Sequence, residues 1–98
     1  MSAFCLFQNL KISNPAKMQE YANRVKPITD SFGGRYVVLG GDVQLKEGNW
    51  TPVWPVIIEF PSMQAANEWY NSTEYAPLKE LRMAAGEFSA VFIDGISS

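Results

Sequence analysis

Glu59 lies in the apolar run Pro55–Phe60 (PVIIEF) and is the residue best placed by type and context to move a proton. Ile57, Ile58 and Phe60 surround it, and burial raises a carboxyl pKa toward neutrality, where it can act as acid or base. A carboxylate among apolar neighbours also settles into an ion pair or a bond across an interface, so both readings stand. Arg35 opens the preceding apolar run, RYVVLGG. Its planar fork can grip a substrate carboxylate, or pair with Glu59 or Asp94. Tyr36 beside it carries a phenol able to donate to a developing oxyanion. Glu59, Arg35 and Tyr36 form the candidate catalytic set.

A second group, Trp69, Tyr70, Tyr75 and Arg82, follows at helical spacing and could bind substrate. Tyr75 shares Tyr36's capacity as a donor. Aromatics at this spacing also build a core, and for Arg82 a solvated charge at a helix end is the plainer reading. Asp94 precedes Gly95 and suits a turn.

Several chemistries are excluded. The chain has no histidine, which removes histidine acid/base catalysis, a Ser-His-Asp triad and proximal-histidine haem ligation. One cysteine, Cys5, leaves no internal disulfide and no plausible structural zinc site. Cys5 sits in an apolar strand pattern and reads as a buried, inert thiol. Gly33-Gly34 and Gly40-Gly41 lack phosphate-loop spacing. No metal or organic cofactor is expected. With a net charge of −2 and scattered Lys and Arg, no nucleic-acid face is expected. No signal peptide or membrane span is expected, and the cytoplasm is the default compartment.

The elements that must position these residues follow from periodicity. Phe4–Ile12 reads as a strand. Asn14-Pro15 starts a helix with an apolar stripe through Met18, Tyr21, Ala22, Val25, Ile28 and Phe32. Pro27 predicts a kink or restart, and Gly33 a left-handed cap. Arg35–Gly41 reads as a strand, with Arg35, Val37 and Leu39 on one face and Tyr36 and Val38 on the other. Val43 and Leu45 extend it, and Lys46–Asn49 turns it back at Trp50, making a long hairpin arm. Trp50 and Trp54 on that arm call for a covering partner. Ser62 caps the next helix, Asn71-Ser72-Thr73 breaks it, a second helix ends at Gly86, and Phe88–Ile96 is the last strand.

Strand, helix, strand, strand, helix pair, strand is a ferredoxin-like βαββαβ plait in one domain, residues 1–98. It is an α+β fold with a four-stranded antiparallel sheet and helices on one face. Cys5, Phe7 and Ile57 are assigned to the other face, which must then be covered. Charged residues make up 18% of the chain, below the roughly 25% of typical domains, consistent with a homodimer through that face.

GGRYVVLGG, LKEGNW, VIIEFPSMQAANEWYNSTEYAPL and VFIDGI, in that order, resemble the DUF1330 family. The resemblance implies a small dimeric α+β barrel without an established activity, and brings no catalytic residues with it. Two functions remain open. One is a cofactor-free enzyme acting on a small carbonyl- or carboxylate-containing molecule with Glu59 as acid/base. The other is a non-catalytic ligand-binding or assembly module in which Glu59 and Arg35 form a structural polar network.

Overall fold

The computed structural model describes residues 2–96. The elements are β1 (Ala3–Ile12), α1 (Pro15–Ser31), β2 (Arg35–Leu39), β3 (Pro55–Phe60), α2 (Met63–Tyr70), α3 (Ala76–Ala85) and β4 (Gly86–Asp94). The strands form one antiparallel sheet in the order β2-β3-β1-β4, the expected plait. All three helices lie on one face.

Local chemistry sets the helix ends. Asn14 accepts from the Lys17 N–H at 3.1 Å, and Ser62 from the Ala65 N–H at 3.0 Å, so each satisfies a donor the helix cannot. The N–H of Gly33 bonds to the Asp30 carbonyl and that of Gly34 to the Thr29 carbonyl, a Schellman closure with Gly33 at φ +83°. α1 runs unbroken through Pro27 instead of restarting. The lost backbone bond to the Asn23 carbonyl is tolerated because the turns on either side remain paired.

The core faces the helices. Cys5, Phe7, Ile58, Phe60, Trp69, Tyr75 and Leu78 are buried in one cluster. Trp69 stacks on Tyr75 with centroids 4.3 Å apart and on Phe60 at 5.2 Å. Full burial of a side chain such as Phe60 or Leu78 stabilises the fold by roughly 1.5–3 kcal/mol.

Strand faces differ from expectation in two places. Cys5 pairs with Ile58 and Phe92, so Cys5 and Phe7 look toward the helices. The opposite face carries Phe4, Leu6, Ile57, Val91 and Ile93. Both sides of β1 are apolar, so alternation could not orient it. In β2 a bulge between Tyr36 and Val38 shifts the register, pairing Val38 with Ile57 and Leu39 with Val56. Leu39 thereby joins Tyr36 on the helix side.

The hairpin arm is not formed. β2 stops at Leu39, and residues 40–54 are an irregular loop. Gly40, at φ +64°, turns the chain away, and its N–H bonds to the Pro55 carbonyl at the loop's base. Trp54 lies against Gly40, so closely that a Cβ there would fall 2.3 Å from the indole. Val53 is held to β1: its N–H donates to the Gln8 side chain at 2.9 Å, and its carbonyl accepts from the Asn9 N–H at 3.0 Å. Among the described residues no helix is long and apolar enough to cross a membrane.

Candidate functional site

α1 packs against α3 and stands off the strands. The gap is a cavity of about 700 Å³. Phe7, Val56 and Ile58 make its floor, Met18, Tyr21, Ala22 and Val25 its roof, and Leu39, Val53 and Trp54 one end. The walls are mostly hydrocarbon and aromatic ring. Tyr21, Tyr36 and Arg82 bring polar groups to it.

These groups come from distant parts of the chain. The Tyr36 hydroxyl lies 3.1 Å from Thr29 Oγ1. Thr29 gives its own proton to the Val25 carbonyl, so Tyr36 is the donor in that pair. The hydroxyls of Tyr21 and Tyr75 are 2.9 Å apart, and one O–H of that pair remains free. Burial raises the pKa of all three phenols. For Tyr75 the neighbouring Arg82 guanidinium opposes the rise. All three are neutral donors and acceptors at physiological pH.

Arg82 corrects an expectation. It occupies the last turn of α3, yet only 4% of it is exposed. The guanidinium carbon lies 5.2 Å from the ring centroids of both Phe7 and Phe88. Its Nε has no hydrogen-bond partner among the described residues, and none of the ion pairs there includes it. Arg82 also belongs to the wall of a second cavity of about 350 Å³, with Tyr70, Met83, Gly86, Phe88, Ser89 and Ala90.

The first-choice pair lies elsewhere. Arg35 and Glu59 are register partners on β2 and β3, on the sheet face away from the helices, where they form an ion pair. The Arg35 guanidinium, helped by a hydrogen bond from Ser2, holds the Glu59 carboxyl below its ordinary range. The expected upward shift is therefore reversed: the Glu59 side chain is about a quarter exposed (24%) and sits beside a cation. Neither residue lines either cavity.

Of the expected binding residues, Arg82 reaches both cavities and Tyr70 the smaller. Trp69 and Tyr75 are fully buried core residues that line neither cavity, and Tyr75 bears on the large one through Tyr21 and Arg82. Tyr21, Phe7, Thr29 and Trp54 were not singled out as site residues. Tyr21 stood within the α1 stripe, where a phenol among aliphatic residues is the one available signal. No group of His, Cys, Asp and Glu that could hold a metal occurs among the described residues.

Two crystal structures share the fold. One is of methylated RPA0582 protein, with a TM-score of 0.71 and 16% identity over 98% of this chain and 82% of that one. The other is of the RPA0582 protein of unknown function from Rhodopseudomonas palustris, with a TM-score of 0.70 and 16% identity over 99% and 84%. No curated protein matches the chain significantly. Residues 2–96 match the family described as a domain of unknown function, DUF1330. That segment takes in every strand and helix, and the chain belongs to the DUF1330 family.

Proposed function

We propose that this protein binds a small, largely apolar organic molecule in the cavity between α1 and the sheet. The cavity itself carries the reading. At about 700 Å³ it falls within the roughly 300–1,000 Å³ of small-molecule sites, and its few polar groups converge from α1, β2 and α3. Apolar wall of this extent that no side chain of the protein packs against is costly to keep, since it loses packing contacts on one side.

Binding is favoured over the Glu59 acid/base reading. Glu59 is ionised at neutral pH by Arg35, so it is a poor acid there, and it stands on the far side of the sheet. Arg35 and Glu59 fit the structural polar network of the alternative reading. An enzymatic role for the cavity rests on one observation, the phenol pair beside Arg82, which could polarise a bound carbonyl.

The test is titration with an environment-sensitive apolar dye, followed by fluorescence. Saturable binding at one dye per chain is expected, with Ala22→Trp, which fills the cavity roof, weakening it at least tenfold. Dye binding unchanged by Ala22→Trp in the folded variant would place the ligand elsewhere.

We further propose that the open sheet face is covered by a second copy of the chain. Phe4, Leu6, Ile57, Val91 and Ile93 form a continuous apolar band across β3, β1 and β4, with Val91 and Ile93 each more than half exposed. A twofold pairing covers such a band with itself.

A further inference from the structure

Arg82 carries a charge into the protein interior without a counter-charge. Burying a lone cation is strongly unfavourable unless it is paired and hydrogen-bonded. Three features soften the cost. The rings of Phe7 and Phe88 attract the cation. The carbonyls at the end of α3 present the negative end of its dipole. The Tyr75 hydroxyl lies close by. None of these supplies a full negative charge, and aromatic faces do not satisfy N–H donors well.

The cavity walls supply no counter-charge either. Among the described residues, neither cavity has an aspartate or glutamate in its wall. Lys79 stands over the Tyr70 ring, 4.1 Å from its centroid, and donates to the Tyr70 carbonyl at 3.1 Å. Lys26, which also lines the large cavity, is already paired with Asp30 at 2.7 Å. A buried, unneutralised guanidinium at one end of an apolar chamber is therefore the site's distinguishing chemistry.

We propose that the ligand is a monocarboxylate with an apolar body, its carboxylate on the Arg82 guanidinium and its body under α1. This rests on the reading of the large cavity as a ligand site. A carboxylate matches the planar fork with two charge-assisted bonds and supplies the single missing charge. The free O–H of the Tyr21–Tyr75 pair is a further donor. A phosphate would bring about two charges into walls offering one buried cation and few donors, so it fits less well.

The probes are 4-phenylbutyrate and 4-phenylbutyramide, alike in shape and differing in charge. Calorimetry at neutral pH is expected to show the acid binding about tenfold or more tightly than the amide. In Arg82→Gln that advantage disappears while the amide still binds. Because this variant removes a core side chain, the NMR signal of Arg82 Nε–H in the wild type gives an independent reading. It should shift further downfield on saturation with the acid than on saturation with the amide. Equal binding of acid and amide, or an acid preference that survives in Arg82→Gln, would overturn the inference and leave the cavity reading intact. Failure of both probes and of the apolar dye would overturn the cavity reading itself.

Discussion

Glu59 is paired with Arg35 on the open sheet face, and the direction of the Glu59 shift determines how stability depends on pH. Its folded pKa lies below the ordinary 4.5, so the folded state holds the carboxylate more strongly than the unfolded chain does. That contribution is fully present above the ordinary value and is lost as the pH falls through the folded pKa. Glu59→Gln should therefore be slightly less stable than the wild type in urea denaturation at neutral pH. The difference should vanish in acid below the folded pKa, and ligand binding in the cavity should not change. A Glu59→Gln protein that binds normally but loses a turnover measured for the wild type would restore the acid/base reading. Cys5 shows the opposite environment. Burial alone pushes its thiol up to about 12, so it stays protonated at neutral pH and is no nucleophile.

Among the elements, those governed by local chemistry were legible in the sequence and those governed by distant contacts were not. Asn14, Ser62 and Gly33 announce their helix ends because each acts within a few residues of itself. β1 could not be oriented, since Phe4 and Leu6 are as apolar as Cys5 and Phe7. Val43 and Leu45 continued the alternation of β2, but the turn at Gly40 and the one-residue bulge overrode it. Arg82 looked like a helix-end charge because nothing nearby in the sequence reveals that Phe7 and Phe88 close over it. The Tyr21–Tyr75 contact joins residues 54 apart in sequence. Gly40 provides a test at this scale. Its positive φ and the indole packed on it both resist a side chain, so Gly40→Ala should destabilise by roughly 1–3 kcal/mol. Thermal denaturation should show the loss, and Trp54 fluorescence should shift as the indole is displaced from the cavity's end.

For the whole molecule, a sheet with helices on one face leaves its other face to be covered. If a second copy covers it, sedimentation at micromolar concentration should find a dimer, and Leu6→Glu or Val91→Lys should give a folded monomer. A wild-type monomer under these conditions would sink the proposal. The loop at residues 40–54 has a separate consequence, set by strand order. It lies between β2 and β3 in sequence, yet β1, which precedes it, is hydrogen-bonded between β3 and β4, which follow it. A protease cut in the exposed stretch around Gly48 would leave two interleaved fragments, the central strand of one clasped by two strands of the other. The nicked protein should remain native by circular dichroism and come apart only in denaturant. Expressed separately, the two pieces should reassemble, which makes this small plait a candidate for a split reporter whose reconstitution needs no covalent join.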